Sequence, residues 1–195
     1  TTLTGILKGN GTSAMTDVTA PSGTIVGTTD TQTLTNKDIS SSTNTLPVGV
    51  VVQRVSTNYS VVATGTTPIP LDDTIPQNTE GDQYMSQTIT PKSTTNTLVI
   101  EMTAMFSCAT AAYHVIMALF QDSTANALAA TAVYLSTATG PADFVLRYTM
   151  AAGTTSATTF KVRAGAQLSA TTTFNGAAGS RYFGGATISN ITITE

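Results

Sequence analysis

The sequence contains no tryptophan, one cysteine and one histidine, and only 10% of its 195 residues are charged. Each shortage closes off a class of function. A lone cysteine, Cys108, excludes an intrachain disulfide framework. With His114 as the only histidine and no second cysteine, no zinc set can be assembled from these residue types. Eight Lys and Arg against eleven Asp and Glu leave a net charge of −3, and the basic residues are scattered, so no phosphate-binding footprint is formed. The same balance disfavours an anionic membrane surface. No apolar run approaches the roughly 18 residues of a membrane-spanning helix.

What is abundant is threonine, a β-branched residue that fits strands better than helices. Its use differs along the chain. Across residues 1–47, Thr, Ser, Gly and Asn dominate, and large apolar residues come singly or in pairs: Leu3, Ile6-Leu7, Met15, Val18, Ile25-Val26, Leu34, Ile39 and Leu46. That spacing is too wide for an amphipathic helix, and turn signals at Gly9-Asn10-Gly11 and Pro21-Ser22-Gly23 divide it into short extended pieces. Such a segment cannot offset a backbone ordering cost of roughly 1–2 kcal/mol per residue by burying its own surface. It reads either as a linker or as an extended, intertwined stalk.

From Val48 to Glu195, segments of strand length with alternating polarity follow one another between Gly, Pro, Asn and Asp punctuation. In "TLVIEMTAMF", Leu98, Ile100, Met102, Ala104 and Phe106 share one face, with Val99, Glu101, Thr103 and Met105 opposite. "DFVLRYTM" repeats the pattern with Phe144, Leu146, Tyr148 and Met150, and "TTFKVRAG" with Phe160 and Val162. The expected fold is therefore all-β, a jelly-roll-like antiparallel β-sandwich head over 48–195, preceded by an extended Thr-rich arm over 1–47. "YHVIMALF" is apolar on both faces and needs cover on both, from a second sheet and a loop or from another subunit. On the subunit reading, Tyr113, Val115, Met117 and Leu119 are the candidate subunit contacts of the head.

Candidate chemistry is sparse. His114, flanked by Tyr113, Val115 and Ile116, reads as a packed strand residue, and Cys108 as a small semi-buried hydrophobe. The stretch "LDDTIPQNTEGDQ" gathers Asp72, Asp73, Glu80 and Asp82 without the spacing of a calcium loop, and reads as a solvated acidic loop or a cation site. No catalytic residue, metal or organic cofactor is expected. "NGAAGSRYFGG", residues 175–185, sets Arg181, Tyr182 and Phe183 between glycines. Side chains of this kind in a loop suit stacking on sugars or packing on a protein partner, the rival reading being a loop anchored inward by Tyr182 or Phe183.

"LTGILKGNGTSAM" followed by "GTTDTQTLTNKDI" resembles the linker and shaft segments of tailed-bacteriophage fibre proteins, and the head is similar in pattern to phage head domains that open on "VVQ", continue through "TTSATTFKVRAG" and close on "ITITE". The resemblance implies a non-enzymatic virion protein, a homotrimer presenting a β-rich head on a thin stalk and joined to other virion proteins through its N-terminal arm. Leu34, Ile39 and Leu46 would then pool into a narrow core shared by three copies. The head would meet a host surface glycan or protein through Arg181, Tyr182 and Phe183. With a single "TLTNKD" copy before the head, the same resemblance also fits a trimeric capsid decoration protein clipped to the capsid by its arm, and more distantly a glycan-cleaving tailspike. The location implied is the virion, as tail fibre or on the capsid exterior, and from the charge balance and the lack of a long apolar run neither nucleic-acid binding nor membrane insertion is expected.

Overall fold

A computed structural model describes residues 6–8, 16–18 and 49–195. The chain divides into two units, Thr1–Ile39 and Ser40–Glu195. In the first, β1 (Ile6–Lys8) pairs antiparallel with β2 (Thr16–Val18). Leu34, Ile39 and Leu46 lie outside the described residues.

The second unit is built from β3 (Arg54–Tyr59), β4 (Ala63–Gly65), β5 (Asp82–Ile89), β6 (Thr97–Cys108), β7 (Tyr113–Gln121), β8 (Ala129–Leu135), β9 (Pro141–Ala151), β10 (Thr158–Ala166), β11 (Thr172–Phe174), β12 (Gly176–Ala177), β13 (Ser180–Arg181) and β14 (Ser189–Thr194). The long strand β6 organises the first sheet. One of its edges pairs with β9 along its length. The other is shared by β14 over Val99–Thr103 and β11 over Phe106–Cys108, with β3 outside β14 and β4 outside β11. The second sheet runs β5–β10–β7–β8. All of these pairings are antiparallel, and in chain order β3 and β4 lie in the first sheet, β5 in the second, β6 in the first, β7 and β8 in the second, β9 in the first, β10 in the second, and β11 and β14 in the first. The two antiparallel sheets pack face to face as a jelly-roll-like β-sandwich.

The alternation read in the sequence decides which side chains meet between the sheets. Leu98, Ile100, Met102, Ala104 and Phe106 of β6, Phe144 of β9, and Ile191 and Ile193 of β14 face Met85, Val115, Met117, Leu119, Phe160 and Val162 of the second sheet. Glu101 and Thr103 lie on the exposed outer face of the first sheet. At one end of the core the Phe106 ring packs edge-on to Tyr84 and Phe144, with centroids 5.1 and 5.3 Å away, and tilted against Phe174 at 5.3 Å. Tyr84 reaches this cluster because β5 carries a bulge. Val162 pairs with Met85 and Arg163 with Gln83, so Tyr84 has no opposite number and turns inward beside Met85.

This core corrects the expectation that Val115, Met117 and Leu119 are subunit contacts. All three are fully buried within the chain's own sandwich, and Tyr113 is partly buried against it. The opposite face of β7, comprising Ile116, Ala118 and Phe120, is covered by the chain as well. The connection between β4 and β5 crosses it as a strap and sets Ile69, itself fully buried, against those three residues. The strap is tied at both ends. Ile69 N–H donates to Ala166 O at 3.0 Å, and the Arg163 guanidinium donates to Glu80 O at 2.8 Å and Gly81 O at 2.6 Å. Farther along, Asn78 N–H donates to Ala125 O at 2.8 Å and Ala127 N–H to Pro76 O at 2.9 Å.

Glu195, following β14, closes the first sheet and the loop before β6 together. Its backbone exchanges hydrogen bonds with Val52 and Gln53. Its buried carboxylate accepts from the amides of Lys92 (2.8 Å) and Ser93 (3.3 Å), from Asn96 Nδ2 (2.7 Å) and from Gln53 Nε2. Burial pushes this carboxyl group up, but the donors from Gln53, Asn96, Lys92 and Ser93 together outweigh it and hold the pKa below the usual glutamate value. A folded-state pKa below the unfolded one gives stabilisation that is complete above the unfolded value of about 4.3 and lost as pH falls through the folded-state value. Glu195→Gln is therefore expected to cost about 2 kcal/mol at pH 7. Urea melts between pH 6 and pH 3 should show the gap between variant and wild type closing as the pH drops.

Candidate functional site

The stretch between β11 and β14 holds Arg181, Tyr182 and Phe183 on a fixed base. Asn175 opens it with a φ of 55°, a left-handed conformation that asparagine tolerates better than most residues. Its amide is fully used: Nδ2 donates to Tyr59 O at 2.8 Å, Oδ1 accepts from Ser189 Oγ at 2.6 Å, and its backbone N–H donates to Met105 O at 3.0 Å. Strands β12 and β13 then form a two-residue hairpin whose central residues, Ala178 and Gly179, have φ values of 49° and 76°, the left-handed pair that a type I′ turn requires. Gly176 admits no side chain, because a Cβ there would lie 2.0 Å from Ser180 O.

Beyond the hairpin, Tyr182 is extended and the chain turns left-handed again. Phe183 has φ 49° and Gly184 φ 65°, with Gly185 N–H donating to Tyr182 O at 2.9 Å and Ala186 N–H to Phe183 O at 3.1 Å. For an L-residue with a Cβ this conformation costs roughly 1–2 kcal/mol. Phe183 gains nothing from burial to offset it, being 83% exposed. The other five phenylalanines, Phe106, Phe120, Phe144, Phe160 and Phe174, are all fully buried. The Tyr182 ring, half-buried, lies 5.9 Å from that of Phe183 at an angle of 54°. Arg181 is exposed, and the one ion pair among the described residues is elsewhere, Arg147 with Glu101 at 3.6 Å on the outer face of the first sheet. The structure thus brings the three loop residues together at one turn, with Phe183 directed outward and Tyr182 partly inward.

The remaining candidates are occupied by structural work. His114 Nδ1–H donates to Gln167 Oε1, 2.8 Å away, and the imidazole lies against Tyr134. Cys108 is buried at the end of β6. The acidic residues of the strap do not converge. Asp72 accepts from the hydroxyl and amide of Thr74, which hold its carboxyl below the usual range. Glu80 accepts from Gln77 N–H at 2.9 Å, and Asp82 from the amide and hydroxyl of Thr67 at 3.0 Å each. Among the described residues no group of three or more His, Cys, Asp and Glu is placed to hold a metal ion. No helix among them is long and apolar enough to cross a membrane.

Two features of the site went unread in the sequence. Asn175 was part of the loop but not recognised as its anchor, although Asn175-Gly176 is a turn dipeptide. The strap read only as an acidic loop, since its role depends on backbone passing over a distant strand. No protein-family model matches the chain, and no curated protein matches it. The fold and the site define an all-β, jelly-roll-like domain with an exposed aromatic turn.

Proposed function

We propose that the chain is a non-enzymatic bacteriophage virion protein, a trimeric fibre whose jelly-roll head meets the host surface through the turn of Arg181, Tyr182 and Phe183. The observation that carries this reading is Phe183, held in the open while every other phenylalanine serves the core. Large rigid side chains of this kind supply contact area at low entropic cost. The Thr-rich arm, with its resemblance to fibre linkers, supports attachment to other virion proteins at the opposite end of the chain. Because Val115, Met117 and Leu119 are spent in the core, the head's trimer contacts fall to other surfaces.

Replacing Arg181 and Tyr182 by Ala is expected to lower adsorption of the protein to host cells at least tenfold while leaving the thermal transition nearly unchanged. A collapsed melt would make these side chains structural anchors instead. Light scattering should give about 60 kDa, three times the 20.0 kDa chain. The "TLTNKD" copy that stands shortly before the head also fits a second reading, a capsid decoration protein held by its arm. Immunogold labelling of intact virions separates the two, gold at the tail tip favouring the fibre and gold over the capsid favouring decoration.

A further inference from the structure

An exposed aromatic ring in a left-handed turn is doubly disfavoured, since asparagine or glycine would relieve the backbone and leave less apolar surface in water. Among the described residues, the one aromatic ring close to Phe183 is that of Tyr182, 5.9 Å away, and it leaves Phe183 83% exposed. Its surroundings narrow what could cover it. Along the turn its neighbours are Ser180, Arg181, the half-buried Tyr182, Gly184, Gly185 and Ala186, and a Cβ on Gly184 would meet nothing within 4 Å. The next large exposed apolar residue on this connection, Ile188, lines a shallow depression with Val145 on the outer face of the first sheet. A protein interface of useful strength surrounds its aromatic anchor with further apolar contacts that exclude water. Phe183 stands instead beside the Tyr182 ring in an otherwise small, polar and cationic setting, with the Arg181 guanidinium folded to within 3.6 Å of where a Gly185 side chain would begin.

We propose that the Phe183 turn docks an acidic saccharide, the phenyl face covering the C–H face of one sugar ring and the Arg181 guanidinium taking that sugar's carboxylate or phosphate. Aromatic rings offer an apolar surface matched to the C–H face of a pyranose, and guanidinium pairs bidentately with planar oxyanions. Arg181 is free for this, having no carboxylate within ion-pair distance among the described residues. The inference rests on the host-contact reading above and names the chemistry of the surface contacted.

The test uses the full chain, with trigalacturonate as the carboxylate probe, glucose 6-phosphate as the phosphate probe and maltotriose as the neutral control. Saturation-transfer NMR and calorimetric titration would be run on the wild type, Phe183→Asn and Arg181→Ala. At least one acidic probe should bind ten times more tightly than maltotriose, and each substitution should weaken that binding tenfold or more. Phe183→Asn should also raise Tm by about 3 °C, because asparagine accepts the left-handed turn. Whether the carboxylate or the phosphate probe binds decides which anion Arg181 takes. Equal binding of maltotriose overturns the proposal, as does a lower Tm for Phe183→Asn, which would make the ring a structural anchor. If no probe binds but the protein still adsorbs to host cells through this turn, the saccharide is wrong and the host contact stands. If adsorption is also absent, both fall.

Discussion

Gly165→Ala is expected to lower stability by about 3 kcal/mol, a fall in Tm of roughly 9 °C for a chain of this size, even though it adds one methyl group. Gly165 sits in β10 opposite Ile116 of β7, on the outer face of the second sheet. The strap passes over it so closely that a Cβ would lie 2.3 Å from Thr67 O, 3.0 Å from Ile69 N and 3.1 Å from the Pro68 carbonyl carbon. These are backbone atoms and cannot swing aside as a side-chain end can. To admit the methyl group the strap must lift, which breaks the Ile69 to Ala166 hydrogen bond and withdraws Ile69 from Ile116, Ala118 and Phe120. The predicted signature is specific: protease cleavage within residues 66–81 and dye binding to the uncovered sheet face should increase while far-ultraviolet circular dichroism stays close to wild type. An unchanged Tm would mean that the strap adjusts without cost and that the cover over β7 contributes little.

The second large effect concerns Phe106. Its ring is fully buried and touches three others, Tyr84 and Phe144 edge-on and Phe174 at a tilt. Phe106→Ala removes the shared member of all three contacts and leaves a cavity where the two sheets meet, so a loss of about 4 kcal/mol is expected. Phe106→Leu keeps most of the volume and should cost about 1.5 kcal/mol. Urea unfolding measures both. A Phe106→Ala loss under about 2 kcal/mol would show that Tyr84, which enters the cluster from a bulge, moves in to fill the space.

The contrast between these two sites explains what the sequence could and could not reveal. Phe106 was legible, because it ends the alternation from Leu98 through Ile100, Met102 and Ala104, and a period of two assigns each of these to one face whatever the partner. The same rule placed Phe144 on β9 and Phe160 and Val162 on β10. Gly165 carried no such signal, since its constraint comes from a segment about a hundred residues earlier. The two apolar faces of "YHVIMALF" correctly demanded cover on both sides, but apolar periodicity does not say whether a neighbour comes from the same chain. Ile69, isolated among prolines and acidic residues, supplied that cover with no periodicity to announce it. Strand limits shifted where a tie lay outside the local pattern. The apolar run Val50–Val52 suggests a strand, but the strand begins at Arg54, with Val52 and Gln53 held instead by the backbone of Glu195. In the candidate site, the residue types of Arg181, Tyr182 and Phe183 were evident, whereas the left-handed backbone at Phe183 and its outward direction depend on the Asn175 anchor and the hairpin below it.

The interleaving of the two sheets also governs how such a chain comes into being on a ribosome. Ser56 and Thr192, hydroxyl to hydroxyl at 2.7 Å, are 136 residues apart. Until β14 has been synthesised, the gap between β3 and β6 stays open, presenting two strand edges able to capture a neighbouring nascent chain. Non-local pairing of this order also slows folding, because long loops must close before any contact rewards them. The head domain should accordingly fold only once β14 has left the ribosome, in milliseconds to seconds, and its yield should depend on protein concentration more steeply than its equilibrium stability suggests.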